Sequence, residues 1–237
     1  MKNRYFGDIH DYFKYALLRQ LTGSGGASTV VCWMLTEDDR GTGGKRTKYL
    51  EEPEKWNSFE PLVFDFLRNQ VLERKVRTVQ AIEKSDVLPN CRFYSRLLTD
   101  DSGQRQEYFD RFLGFARGAA FVFFDPDNGV EVKSVKYGRR NSSKYLYWNE
   151  IALTLGANHS LLIYQHLPLR PRSPFIDSLA DILLEICRGG VVYAIRTSQV
   201  AFFLVPQRGC SRWFRKSLSD IEKRWDGVLV ISEHRRS

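Results

Sequence analysis

The stretch Phe121-Val122-Phe123-Phe124-Asp125-Pro126-Asp127-Asn128-Gly129 decides the fold of this chain. From Ala119 to Phe124 every side chain is apolar, so neither face of the segment is suited to water. Such a run fits a central strand covered on both sides, as in the parallel sheets of α/β proteins. Asp125 ends the run, Pro126 cannot donate to a ladder, and Gly129 allows a tight turn. In open α/β sheets, ligands bind just beyond the carboxyl ends of the strands. The sequence therefore places Asp125 on a rigid element at the mouth of a cleft. Asp, Asn, Pro and Gly are also ordinary turn formers, so the turn by itself does not make a site.

A second apolar run, Ser160-Leu161-Leu162-Ile163-Tyr164, delivers Gln165-His166-Leu167-Pro168-Leu169. Two buried strands are thus expected to present Asp125, Asp127, Asn128, Gln165 and His166 at one sheet edge. Carboxylates, an imidazole and amides together can activate water and hold a polar heterocycle.

The flanking segments alternate in type. Gly7 to Leu21 reads as a helix, with Asp8 as N-cap and Tyr12, Tyr15, Ala16 and Leu18 as its apolar stripe. A glycine-serine loop, Gly23 to Ser28, leads to a strand over Thr29 to Leu35. The polar segment Thr36 to Lys48 follows. Helix is expected over Pro61 to Lys84, with Leu62, Phe66, Leu67 and Val71 inward, then strand over Arg92 to Leu98 and helix over Gln106 to Ala116. Helices are also expected over Lys144 to Leu155, Phe175 to Cys187 and Arg212 to Trp225. Gly189-Gly190 opens a hairpin of Val191 to Arg196 and Val200 to Val205, and Val228 to Ser232 forms a last strand. This order predicts one three-layer α/β domain over residues 1–237. Its sheet is mostly parallel, with helices on both faces and a C-terminal antiparallel hairpin at one edge.

Composition bounds the partners. Thirty-six Lys and Arg against 28 Asp and Glu give a net charge of +8, and the pI is about 9.3. An anionic partner is expected, nucleic acid first, and DNA is taken as that partner. Cys32, Cys91, Cys187 and Cys210 are scattered and have neither zinc nor redox spacing. Buried, reduced thiols in a cytoplasmic protein are expected. Met1 to Tyr5 lacks an apolar signal region, and no apolar run is long enough to span a bilayer. Neither a membrane, a metal nor an obligate protein partner is expected.

Three further segments carry candidate chemistry. Lys133, Lys136, Arg139 and Arg140 lie just after the Asp125 turn, and Arg170 and Arg172 lie just after His166. They are candidates to neutralise DNA phosphates while a pocket holds one base. Tyr5, Phe6, Asp8, Asp11 and Lys14 crowd the start of the first helix. Asp8, Asp11 and Lys14 share a helical face, and Tyr5 or Phe6 is placed to stack on a base. The acidic, glycine-rich segment Thr36 to Gly44 has neither the dinucleotide fingerprint nor the Walker lysine and reads as a surface loop.

Two families resemble parts of this arrangement. Phe6-Gly7-Asp8 through Lys14, the strand and loop Val31 to Gly44, and the Asp125-Pro126 strand end follow the order of parts in S-adenosylmethionine-dependent methyltransferases. The likeness is greatest to those that methylate adenine in ribosomal RNA, and it implies a Rossmann-like sheet ending in the late hairpin. That family's tetrapeptide is Asp or Asn, Pro-Pro, and an aromatic; here it reads Asp125-Pro126-Asp127-Asn128. Asp125-Pro126 and His166-Leu167-Pro168-Leu169 also resemble the two short motifs of uracil-DNA glycosylases. This second likeness implies that Asp125 holds a water and His166 stabilises the leaving base, with Asn128 or Gln165 reading the base edge. The expected function is glycosylase-like excision of a flipped base, leaving an abasic site and needing no cofactor. The base is a damaged one or a modified one in invading phage DNA, because Asp127 and Glu131 add acceptors suited to hydroxyl-rich groups. The alternatives are a DNA or RNA methyltransferase using S-adenosylmethionine, and a non-catalytic nucleic-acid-binding protein on a methyltransferase-like fold.

Overall fold

The computed structural model describes residues 1–23, 26–38, 43–188 and 190–236. Its elements are α1 (Ile9–Thr22), β1 (Thr29–Cys32), α2 (Pro53–Trp56), α3 (Pro61–Arg68), α4 (Gln80–Glu83), β2 (Cys91–Tyr94), α5 (Ser102–Ala116) and β3 (Phe121–Phe124). There follow β4 (Gly129–Val130), β5 (Tyr145–Leu146), α6 (Trp148–Gly156), β6 (Ser160–His166), α7 (Arg172–Ile186), β7 (Val191–Arg196), β8 (Val200–Val205), α8 (Ser211–Arg224) and β9 (Val230–Arg235). Seven strands form one sheet in the order β2-β1-β3-β6-β8-β7-β9, and β4 pairs with β5 apart from it.

Four neighbouring strands, β2, β1, β3 and β6, are parallel. β8 is antiparallel to β6 and to β7, so β7 points with the first four, and β9 runs against β7. The sheet is therefore mostly parallel with an antiparallel C-terminal part, as expected. The hairpin inserts β8 between β6 and β7 rather than adding both strands outside the parallel set.

Alternation along the buried strands builds two cores. Val31, Phe121, Phe123, Leu162 and Tyr164 pack with α1, α3 and α8 on one face. Val30, Cys32, Val122, Phe124, Leu161 and Ile163 pack with α5, α6 and α7 on the other. This is the three-layer arrangement, and it explains why β3 is apolar at every position. The connection from β1 leads to β2 on one side and the connection from β3 leads, by way of β4 and β5, to β6 on the other, so these two adjacent strands send the chain in opposite directions. Ligands in such sheets bind near that switch, beyond the strand ends.

Several boundaries differ from the sequence expectation. The helix over 61–84 breaks into α3, a π-turn at Asn69–Glu73 and the short α4. Lys75 turns left-handed at φ 57, and the Arg77 guanidinium is taken by the Arg4 and Gly44 carbonyls. Leu62 is exposed and Phe66 half-buried, and Val63, Phe64, Leu67, Val71, Val79 and Ile82 are the buried apolar side chains of this stretch. The strand after α4 ends at Tyr94, with only an isolated bridge between Leu35 and Leu97 beyond it. The helix predicted from Lys144 starts at Trp148, because Tyr145 and Leu146 pair with Gly129 and Val130 and Glu150 caps the Tyr147 amide. Of the four free cysteines only Cys32 is buried; Cys91 and Cys187 are half-buried and Cys210 is exposed. Among the described residues, no helix is long and apolar enough to cross a membrane. Residues 24, 25 and 189, and residues 39–42 of the glycine-rich segment, lie outside the described residues.

Candidate functional site

Asp125 follows Phe124, whose ring packs on the α5 face. The next side chain points the opposite way, toward α1. β6 runs past the end of β3, and alternation sends Tyr164 and His166 to the α1 side and Gln165 to the other. On α1, Asp11 and Lys14 are one helical turn apart, on the face turned toward these strand ends. Asp8 is the N-cap, accepting from the His10 amide at 3.2 Å. Helix start and strand ends thus converge on one cavity of about 410 Å³.

The cavity is lined by seven residues singled out from sequence: Tyr5, Asp8, Lys14, Asp125, Asp127, Asn128 and His166. Met1, His10, Tyr164, Lys45 and Arg46 line it as well without being candidates from sequence, and Asp11, expected only as a companion of Lys14 on the helix, joins them. A local clue was present for His10 and Asp11, since both lie between Asp8 and Lys14 in the first turns of α1. For Met1 there was no local signal, because its position depends on a contact 124 residues away.

At the floor, the Lys14 ammonium lies 3.0 Å from Asp11 and 3.0 Å from Asp125, and 4.5 Å above the Tyr164 ring. Asp11 also accepts from the Gly7 amide at 3.1 Å and the Tyr15 hydroxyl at 3.3 Å. All three charged side chains are buried. Burial pushes the Asp11 carboxyl up to about 6, against the pull of Lys14. Burial likewise raises Asp125, although Lys14 and the Met1 ammonium oppose it. For Lys14 burial works against the charge, but Asp11 and Asp125 together outweigh it and the group is raised. Lys14 is therefore a fixed cation at neutral pH.

A second ion pair stands beside the first. The Met1 α-ammonium contacts Asp127 at 2.6 Å and donates to the Met34 and Asp125 carbonyls. Asp127 also accepts from Thr36 Oγ1 at 3.2 Å. Burial would raise the Asp127 carboxyl, but the Met1 ammonium and these hydrogen bonds bring it below the usual carboxylate range. The cavity thus gathers four carboxylates, of Asp8, Asp11, Asp125 and Asp127, against two ammonium groups. Its interior is acidic in a basic protein. Exposed Lys45 and Arg46 supply positive charge at the rim.

Two imidazoles face each other across the mouth, with ring centroids 6.0 Å apart. Burial, helped by Lys14, lowers His10 to about 4 despite Asp8, so it is neutral at physiological pH. Its Nδ1 lies 3.2 Å from the Tyr164 hydroxyl and its Nε2 3.3 Å from Gln199 Oε1. His166 is exposed.

The other sequence candidates are placed differently. Phe6 is fully buried between Tyr15 and Phe66, so of the two rings only Tyr5 lines the cavity. Gln165 is on the opposite side of β6 and bonds only to backbone, so it does not line the cavity or read a base edge. Glu131 accepts from the Trp148 amide at 2.8 Å and caps α6 instead of facing the cavity. Lys133, Lys136, Arg139 and Arg140 are exposed on the connection from β4 to β5, outside the cavity wall. That connection is held in place: buried Arg105 donates to the Ser142 and Tyr145 carbonyls, and Asp100 accepts from the Asn141 and Ser143 amides. Arg170 and Arg172 are exposed, with the Arg170 guanidinium 4.2 Å from the centre of the Phe175 ring. Among the described residues no group of three or more His, Cys, Asp or Glu is arranged to hold a metal ion.

Comparison of the chain with protein-family models, curated proteins and solved structures returned no match.

Proposed function

We propose that the protein hydrolyses the N-glycosidic bond of a flipped nucleotide in DNA and leaves an abasic site. The observation that carries this is an acidic cavity on rigid strand ends in a chain of net charge +8. Phosphates are repelled by such a floor and drawn to the cationic rim and the loop beyond it. A base and its sugar enter, and the backbone stays outside. In the reaction, water adds to the sugar carbon as the bond to the base nitrogen breaks, and that nitrogen takes the electron pair and then a proton. Positive charge builds on the sugar, which the floor carboxylates stabilise. Asp125 orients the water and accepts its proton; burial raises its carboxyl, which makes the carboxylate a stronger base. His166, at the mouth, stabilises the departing base, and Asn128 is the amide available to its edge. The cavity volume and its carboxylate acceptors favour a base carrying a hydroxyl-rich group, such as a sugar on phage DNA, over a bare pyrimidine.

One observation favours methyl transfer as a second reading. Strand β8 lies between β6 and β7, in line with the hairpin-ended sheet that the methyltransferase resemblance implies. A sulfonium cofactor is cationic, so the acidic interior suits its charge, and Asp8 and Asp125 are the groups that would hold it. The cofactor would supply the methyl group; Asn128 and Tyr5 would position the acceptor base.

The test incubates the protein with unmodified, uracil-containing and glucosylated phage DNA and reads abasic sites by alkaline cleavage. Strand breaks with one of the modified DNAs are expected. No breaks with any of them, together with methyl incorporation from labelled S-adenosylmethionine, establishes the second reading instead. Binding that survives every site substitution, with neither product, establishes a non-catalytic binder.

The partner surface gives a separate prediction. Each phosphate contact adds about 0.9 to the salt dependence of affinity. Replacing Lys133, Lys136, Arg139 and Arg140 with Ala should weaken binding to all sequences alike and flatten the slope by about 3 to 4. Fluorescence anisotropy across a salt series measures it, and an unchanged slope removes this loop from the interface.

A further inference from the structure

Gln165 was a base-reading candidate by sequence, and the fold gives it another task. Its side chain is 5% exposed and lies under the turn that follows β3. Nε2 donates to the Asn128 carbonyl at 3.1 Å and to the His166 carbonyl at 2.7 Å. Oε1 accepts from the Val130 amide at 2.9 Å. Both amide hydrogens and the oxygen are thus used, and the pattern of donors and acceptors admits only one orientation of the amide. The His166 amide closes the same ring of contacts by donating to the Asn128 carbonyl at 3.1 Å.

The turn is shaped around this side chain. Gly129 sits at φ +121, and a Cβ there would lie 2.2 Å from Gln165 Oε1. Only glycine lets the backbone approach so closely. Asp125 and Asp127 stand on one side of this turn, and His166 is the neighbour of Gln165 on β6.

We propose that Gln165 is a positioning residue. Its amide locks the 125–130 turn to the end of β6 and fixes Asp125, Asp127 and Asn128 relative to His166. The kinetic part of this proposal rests on the base-excision reading above. Groups that act together must be held within about half an ångström of the productive geometry, and an amide bonded to both carriers does so without touching substrate.

The experiment compares the wild type with Gln165→Met and Gln165→Glu on the DNA found to yield abasic sites. Gln165→Met keeps the volume and loses every bond. Its kcat should fall at least 100-fold with KM within threefold, because the binding surfaces stay while the reacting groups lose register. Gln165→Glu keeps the acceptor for Val130 but turns a carboxylate oxygen toward two carbonyls. Protonation restores one donor, so its kcat relative to wild type should recover at least tenfold between pH 8 and pH 5. A role confined to general stability would move KM and kcat together and would give no such pH recovery.

Hydrogen exchange read in parallel does not depend on activity. The Val130 amide should exchange at least 10-fold faster in Gln165→Met, with β1 and β3 amides unchanged. If Gln165→Met does not fold, the pH dependence and Val130 exchange of Gln165→Glu decide. If the wild type makes no abasic sites, the base-excision reading falls and the clamp stands or falls on exchange alone. Unchanged Val130 exchange, or a loss that lies in KM, overturns the proposal.

Discussion

Replacing Lys14 with Met should cost about 3 to 5 kcal/mol of folding stability at pH 8, the usual penalty for removing one partner of a buried ion pair. That is a large part of the 5–15 kcal/mol that holds a typical domain together. Lys14 lies 3.0 Å from both Asp11 and Asp125, and all three groups are buried. Without the ammonium, two buried carboxylates face each other with no cation between them, and each raises the other. Asp11 already stands at about 6 with Lys14 present, and Asp125 is raised as well. Removing their shared cation lifts both further. A carboxyl whose folded value exceeds its unfolded value of about 3.9 contributes fully below that unfolded value. Its contribution is lost as pH rises through the folded one. The deficit of Lys14→Met against wild type should therefore be small near pH 4 to 5 and grow toward pH 8. Urea unfolding at the two ends of that range measures it. An equal deficit at both would mean that the cost is lost packing and not uncompensated charge.

How much of this was legible beforehand follows from the physics of each feature. The apolar run into Asp125 and the second run into His166 announce two central strands, because a buried strand must be apolar on both faces. That signal is local and strong, and it brings Asp125, Asp127, Asn128 and His166 into one cavity. Asp8 and Lys14 were legible from helical spacing. What was not legible is which way a side chain at a strand end points. Gln165 and His166 are adjacent, yet alternation sends one beneath the turn and the other to the mouth. The phase is set by Phe124 and Tyr164 choosing opposite cores, a long-range fact. Phe6 fails as a stacking residue for the same reason: its environment is Phe66, 60 residues on, which closes over it. The Met1 ammonium beside Asp127 is of the same kind. The helix over 61–84 was overestimated because its periodicity continues through residues that the tertiary contacts of Arg77 and Val79 pull out of helical geometry.

The charge layout also bears on the choice between functions, since fold alone does not decide it. A sheet with β8 between β6 and β7 is compatible with methyl transfer, and an acidic floor is compatible with either a sulfonium or a developing sugar cation. The two readings differ at Asp125. Base excision uses its charge to steer water and accept a proton. Methyl transfer to an amino nitrogen uses a hydrogen-bond acceptor, and the tetrapeptide that Asp125-Pro126 resembles tolerates Asn at this place.

Asp125→Asn should therefore lower abasic-site formation by about 10² to 10⁴, the usual contribution of a positioned acid or base, while DNA affinity stays within threefold. The substitution keeps shape and an acceptor oxygen and removes one negative charge. Lys14 keeps Asp11 at 3.0 Å, so the floor becomes a balanced pair and the fold survives. Asp11 loses the repulsion of Asp125 and should titrate below its present value of about 6, which NMR of labelled aspartate can follow. Asp127→Asn is the control: it leaves the Met1 ammonium, 2.6 Å away, without its carboxylate, so it should lower thermal stability more than Asp125→Asn does. Measured together, single-turnover excision and melting temperature separate the two carboxylates, with Asp125 governing the rate and Asp127 the fold. Excision within tenfold of wild type in Asp125→Asn would remove Asp125 from the chemistry. Methyl transfer retained in that variant, with no excision in either protein, would assign the cavity to a methyltransferase.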